Sequence, residues 1–229
     1  MKKIGIIGGL SIQSTIHYIE GLSRNIYDAL GGLNSPRIAM STLNFAEHEP
    51  MMKAGEWDRL AKVAAAEAKS VRAAGADFII LETNTWHKVA EDIEKAVDIP
   101  FLHIADATSA EIKKHGARKI GLLGTAYTME QDFYKGRLLA AGLDVAIPNK
   151  DDRDIVNRII FEELCVGKVT DSARAEYERI INQMADNGAE GVILGCTEIG
   201  MLVKSAAVPL YDTTAIHVKA AADYALGHL

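Results

Sequence analysis

The sequence is poor in the features that mark secreted, membrane-spanning, metal-binding or nucleic-acid-binding chains. Two cysteines, Cys165 and Cys196, stand among 229 residues. So few thiols exclude a disulfide framework and read as reduced side chains of a cytoplasmic protein. Positive charge is not in excess either: 25 Lys and Arg against 31 Asp and Glu leave a net charge of −6, with no electrostatic pull toward nucleic acid or an anionic membrane. No apolar run approaches the roughly 20 residues that a bilayer-spanning helix needs. His87, His103, His115 and His217 lack paired ligand spacing, and H-E-x-x-H and C-x-x-C are both absent, so no metal centre is expected. Gly5, Gly8 and Gly9 form neither G-x-G-x-x-G nor a P-loop, which argues against a bound nucleotide. Nothing points to pyridoxal phosphate, and no low-complexity linker divides the chain.

What the sequence does contain is a segment that occurs twice. Gly75-Ala76-Asp77-Phe78-Ile79-Ile80-Leu81-Glu82-Thr83 returns 113 positions later as Gly188-Ala189-Glu190-Gly191-Val192-Ile193-Leu194-Gly195-Cys196. Each copy is a Gly-Ala-acid turn, a short apolar run and a polar tip, the pattern of a buried parallel strand. Other landmarks repeat in the same order. Lys2 to Gly8 matches Arg118 to Gly124 at an offset of 116, and Ile99-Pro100-Phe101-Leu102-His103 matches Val208-Pro209-Leu210-Tyr211-Asp212 at an offset of 109. The opening Met1-Lys2-Lys3 with its seven apolar residues therefore reads as a first strand rather than a leader, since the same pattern stands mid-chain.

Between these landmarks the spacing predicts helices over 14–30 and 129–141, second strands over 38–45 and 143–148, and long helices over 57–74 and 173–187 closed by Gly75 and Gly188. A helix over 89–96 follows the first central strand, and 199–205 is its counterpart. The expectation is an α/β protein of two pseudo-symmetric lobes, each with a parallel sheet. Residues 1–103 with a return at 209–229 would make one lobe and 104–208 the other, the last strand of each half being exchanged.

Chemistry is expected where the central strands end, because ligands of open α/β sheets sit at the carboxyl ends of strands. That singles out Thr83 and Cys196. Two proton-transfer groups, one on each face of a carbon, are what racemisation requires, and a thiolate suits one of them; a thiol after a strand is also simply a small buried apolar group. Thr83 can donate a proton, relay one through water or bind a carboxylate. Asn84 and Thr85 are hydrogen-bonders that also suit a turn and a helix cap. Glu82 should alternate away from Thr83, and His87, one turn on, can orient the site.

These residues resemble a known family. Ile4-Gly5-Ile6-Ile7-Gly8-Gly9-Leu10-Ser11, Thr83-Asn84-Thr85-Trp86-His87 and Gly195-Cys196-Thr197-Glu198-Ile199 are similar to the aspartate/glutamate racemases over essentially the whole chain. The resemblance implies two Rossmann-like lobes with the active site in the cleft between them, cofactor-independent racemisation of a small acidic amino acid, and a homodimer. It implies Thr83 and Cys196 as the proton-transfer pair, with Leu10, Ser11, Asn84, Thr85, Thr125, Thr128, Thr197 and Glu198 holding the substrate. Thr83 stands where most members carry a first cysteine, as in broad-specificity L-aspartate/glutamate racemases, so a preference for the L-substrate with Cys196 as base is expected. Where two-cysteine aspartate racemases carry an Arg and a Lys for the distal carboxylate, this chain reads Glu47-His48-Glu49 and Leu164-Cys165-Val166. Two other readings stay open: a single-cysteine decarboxylase of the arylmalonate type, and a two-lobed binding protein without turnover.

Overall fold

In the computed structural model, which describes residues 1–228, the chain divides into two compact units. One comprises Met1–Ile104 and the return from His217; the other is Ala105–Ile216. The first contains β1 (Ile4–Gly8), α1 (Ile12–Leu30), β2 (Ile38–Thr42), α2 (Phe45–Lys53), α3 (Trp57–Ala73), β3 (Phe78–Leu81), a 3-10 turn over Thr85–Val89, and α4 (Ala90–Ala96). Then follow α5 (Ile104–Lys114), β4 (Lys119–Gly124), α6 (Ala126–Glu130), α7 (Asp132–Ala140), β5 (Asp144–Ala146), α8 (Lys150–Glu162), α9 (Asp171–Asp186), β6 (Gly191–Gly195), α10 (Ile199–Leu202), β7 (Leu210–Asp212) and α11 (Thr213–Leu226).

Both sheets are parallel, ordered β2-β1-β3 and β5-β4-β6-β7. The first has a remnant of a fourth strand, a single parallel bridge between Ile79 and Phe101, so the two orders correspond. Every residue of β1, β3 and β6 is buried, as expected of strands covered by helices on both faces. Helix α1 shows how the covering works. Tyr18, Leu22 and Ile26, spaced four apart, form one buried stripe that packs with Ile4, Ile6, Phe78, Ile80 and with Val218, Ala221 and Ala222 of α11. Each large side chain so buried contributes about 1.5–3 kcal/mol.

The repeated Gly-Ala-acid signature has a physical reading. Gly75 and Gly188 take left-handed backbone at φ +84° and +87° just past α3 and α9. The amides of Gly75 and Ala76 then bond back to Arg72 and Val71, and those of Gly188 and Ala189 to Ala185 and Met184, closing each helix in a Schellman turn. The acid that follows accepts from the first strand of its own sheet: Asp77 from the Lys3 amide at 2.6 Å, Glu190 from the Lys119 amide at 3.0 Å. One three-residue signature thus ends a helix, turns the chain and ties the start of the next strand to the start of its interior neighbour, β1 or β4.

Several expectations need correction. The strand expected over 38–45 stops at Thr42, and α2 begins at Phe45. The helix expected over 129–141 is two, because Gln131 is extended (φ −93°, ψ 154°) and Asp132 starts a new first turn, where a carboxylate favours the positive helix end. No strand is exchanged: Phe101 bridges within the first sheet and β7 pairs with β6. Residues 209–216 therefore stay with the second unit, and the chain returns at His217 rather than 209. No helix of the described residues is long and apolar enough to cross a membrane.

Two glycines separate turn from helix energetics. A Cβ at Gly188 would impose left-handed backbone on an L-residue, so Gly188→Ala should lower stability by about 1–2 kcal/mol. Gly136 lies inside α7 and an added Cβ would meet nothing closer than Asp132 Cβ at 3.9 Å, so Gly136→Ala should raise stability by about 0.5–1 kcal/mol. Urea unfolding of the two variants is expected to shift in opposite directions.

Candidate functional site

In the first unit the tips of β1 and β3 are built around one carboxylate. Gly9 has φ +79° and no space for a side chain, since a Cβ there would stand 2.1 Å from the Leu43 carbonyl oxygen. The chain can therefore fold back closely into Leu10 and Ser11, the latter capping α1 through its hydroxyl to the Ser14 amide. Glu82, with no exposed surface, accepts from the Gly9 amide at 2.7 Å and from the Thr15 hydroxyl. Its carboxylate fills the space that a Cβ on Gly8 would need. The Ser14 hydroxyl donates to the Glu82 carbonyl at 2.9 Å. Glu82 is thus a strut between the tip of β1 and the start of α1.

Thr83 is the next residue and is half-buried. Its carbonyl accepts from His87 Nδ1 at 2.6 Å. Because a carbonyl only accepts, Nδ1 carries the proton, and Nε2 is left to accept from the Ile104 amide at 3.2 Å. His87 is therefore held neutral as a single tautomer, buried among Phe101, His103 and His217. Asn84 and Thr85 are buried at the start of the 3-10 turn, and the expected side-chain cap by Asn84 does not form.

The second unit repeats this plan with different chemistry. Gly124 and Gly195 are register partners at the tips of β4 and β6, and a Cβ on either would press on the other strand at 2.7 Å. Thr128, fully buried, packs over both, while Thr125 caps α6. Cys196 follows Gly195, half-buried, and its thiol donates to Glu198 Oε2 at 3.0 Å. The Thr197 hydroxyl donates to the same oxygen at 2.7 Å. Glu198 is 2% exposed, and its Oε1 has no hydrogen-bond partner among the described residues. Burial, and then the adjacent Glu198 carboxylate, hold the Cys196 thiol well above its usual range. A carboxylate accepting from a thiol is an arrangement that can take the proton when the thiolate forms.

The structure thus gathers Leu10, Ser11, Glu82, Thr83, Asn84, Thr85 and His87 at one pair of strand tips. Thr125, Thr128, Cys196, Thr197 and Glu198 gather at the other. Two neighbours escaped the sequence reading. Cys165, pushed up to about 12 by burial and then by Glu198, belongs to the surroundings of Cys196. Behind His87, His217 donates through Nε2 to the Leu102 carbonyl at 2.8 Å and takes the Tyr18 hydroxyl on Nδ1 at 2.9 Å. Tyr18 and His217 are 199 positions apart, and no local pattern links them.

Comparison with known proteins shows the family to which the chain belongs. The family model described as Asp/Glu/Hydantoin racemase matches residues 7–221. A crystal structure from Yersinia pestis, provisionally described as an Asp/Glu racemase, is 49% identical with a TM-score of 0.92, covering 99% of this chain and 100% of that one. An aspartate racemase homologue from Pyrococcus horikoshii OT3 is 36% identical with a TM-score of 0.86 over 99% and 100%. The broad specificity amino-acid racemase RacX of Bacillus subtilis (strain 168) is 26% identical across 94% of this chain and 95% of its own.

Burial lowers the His217 pKa from 6.5 to about 4. Below pH 6.5 the unfolded chain binds a proton that the folded chain refuses, so stability falls with pH until about 4. The loss attributable to this residue is about 3 kcal/mol. Denaturant titrations at pH 7 and 4.5 should show a smaller acid loss for His217→Gln than for the parent; equal losses would remove His217 as the cause.

Proposed function

The chain belongs to the Asp/Glu/Hydantoin racemase family, and we propose that it racemises aspartate or glutamate without a cofactor, with Cys196 and Thr83 exchanging the α-proton. The observation that carries the reading is the equivalence of these two residues. Each follows the central strand of its own repeat, 113 positions apart, and each is half-buried at a strand tip lined by hydroxyls. A fold that repeats has thereby two chances to present a proton-transfer group, one to each face of the α-carbon.

The two ends are chemically unequal. Cys196 has a buried carboxylate bonded to its thiol; Thr83 has Thr85 at the position corresponding to Glu198. For an L-substrate, Glu198 takes the thiol proton as the thiolate removes the α-proton, leaving Cys196 again protonated and the substrate as an enediolate. Thr83 then gives its hydroxyl proton to the opposite face, and the D-enantiomer results. The Thr83 alkoxide recovers a proton from water and Glu198 returns one to water, so the cycle closes with no net change. Backbone amides at Leu10–Ser11 and at the start of α6, with the hydroxyls of Ser11, Thr125, Thr128 and Thr197, are suited to the carboxylate as negative charge builds there. The thiol's raised pKa agrees with such a mechanism, because the thiolate is made by proton transfer within the site rather than by titration.

A threonine alkoxide is far harder to form than a thiolate, so proton transfer at the Thr83 face is the slow step in both directions. The enantiomers are equal in free energy and share one kcat/KM; the inequality shows instead in exchange, the L-enantiomer losing its α-proton to Cys196 faster than it inverts. The breadth named for the Bacillus relative makes a panel of neutral amino acids the natural control alongside L- and D-aspartate and L- and D-glutamate.

Incubation in deuterium oxide, with NMR for the α-proton and chiral chromatography for inversion, tests this directly. Exchange with inversion of an acidic amino acid that disappears in Cys196→Ser is the expected outcome. Glu198→Gln should slow exchange by about 100-fold or more, the scale of a lost general base, even though removing the neighbouring negative charge lowers the thiol pKa. Undiminished turnover in either variant contradicts the assignment, and absence of exchange with every substrate contradicts the reaction.

A further inference from the structure

The two repeats hold the peptide after the central strand in different ways. In the second, the Cys196 carbonyl accepts from a backbone amide, that of Ile199, at 3.1 Å. In the first, the Thr83 carbonyl accepts from a side chain, His87 Nδ1, at 2.6 Å. The difference extends to the helix that follows. The position matching His87 is Gly200, whose missing side chain leaves room for the Asp212 carboxylate 2.1 Å from where a Cβ would stand. Asp212 then accepts from the amides of Thr214 and Ala215 and starts α11. In the first repeat the residue matching Asp212 is His103, and the amide at the start of α5, Ile104, is taken by His87 Nε2 at 3.2 Å. The His87 and His103 rings lie 4.3 Å apart, where the second repeat has Gly200 against Asp212.

We infer that His87 is a positioning residue for Thr83: its imidazole, 2% exposed and locked as the Nδ1–H tautomer, sets the peptide plane that aims the Thr83 hydroxyl at the substrate. One ring bridges two backbone groups of the first unit, the carbonyl of Thr83 and the amide of Ile104. Cys196 has no such dependence, since its carbonyl is fixed by local backbone and its thiol by Glu198. The consequence is specific to one face of the reaction. The inference rests on the proposed roles of Thr83 and Cys196, and on the hydrogen-bond geometry independently of them.

The separating readout is the ratio of inversion to exchange. With an L-amino acid in deuterium oxide, proton removal by Cys196 followed by return from the same side gives exchange without inversion, whereas delivery from Thr83 gives inversion. His87→Gln carries its amide near the Nε2 position and leaves nothing at Nδ1; the expected result is a fall of about tenfold in inversion per exchange event, with exchange itself within about twofold of the parent. His87→Asn places an amide N–H near Nδ1, and is expected to recover most of the ratio. A parallel fall of exchange and inversion in His87→Gln, an unchanged ratio, or no recovery in His87→Asn would each overturn the inference. ¹⁵N spectra of histidine-labelled full chain give a readout independent of turnover: His87 should appear as the neutral Nδ1–H tautomer, and an Nε2–H tautomer or an imidazolium at neutral pH overturns the assignment. If the parent exchanges no α-proton at all, the reaction proposed above fails, while the tautomer still decides whether His87 holds the Thr83 peptide.

Discussion

The architecture depends on strand tips that carry no side chain. Parallel strands deliver their ends side by side, and the chain leaving each end has to turn within a residue or two without colliding with its neighbour. Gly8, Gly9, Gly124 and Gly195 satisfy this by leaving out the Cβ, which at each would meet other atoms at under 3 Å. The space so made is filled in two ways. In the first unit it admits the buried Glu82 carboxylate, which draws in the Gly9 amide and the Thr15 hydroxyl. In the second it admits the methyl side of Thr128. One steric requirement is met by a charged strut in one repeat and by apolar packing in the other.

The same divergence governs the chemistry. Residue for residue, Thr83-Asn84-Thr85 and Cys196-Thr197-Glu198 occupy equivalent places, yet only the thiol is accompanied by a carboxylate. That pairing is chemically coherent: a buried thiol held above its ordinary pKa needs an acceptor within hydrogen-bond reach, whereas a hydroxyl in the proposed role of proton donor to a carbanion gains nothing from a neighbouring base. It gains from being aimed. The ring that holds the Thr83 carbonyl has no counterpart beside Cys196, where glycine stands instead. The two repeats are similar frames, and the side chains next to Thr83 and Cys196 make them unequal.

Much of this was legible in the sequence because duplication writes a pattern twice. Gly-Ala-acid could be recognised as a helix end and strand start from its recurrence alone, and the family motifs lie where the central strands stop. Each repeat also has a helix between its second strand and its long helix, α2 and α8. They differ in length and composition, nine residues with an internal proline against thirteen, so the repeat does not mark them in the sequence. An exchange of last strands leaves no mark in the sequence, and the hydrogen bonding of Phe101 and β7 keeps each strand in its own sheet. Alternation pointed Glu82 away from Thr83, but its partners lie on another strand and helix, 67 and 73 positions away. The imidazoles of His87, His103 and His217 share one buried neighbourhood only after folding, which is why their spacing looked random.

The central claim is that Thr83 serves one face of the α-carbon and Cys196 the other. Replacing Thr83 alone tests it most directly, by comparing Thr83→Ala and Thr83→Cys with the parent for α-proton exchange and inversion of L-aspartate and L-glutamate in deuterium oxide. The account predicts that Thr83→Ala continues to exchange the α-proton of the L-enantiomer while inversion is lost, and that Thr83→Cys inverts more often per exchange event and accepts the D-enantiomer more readily. Inversion by Thr83→Ala at the parental rate would contradict it, and would assign delivery of the second proton to another group.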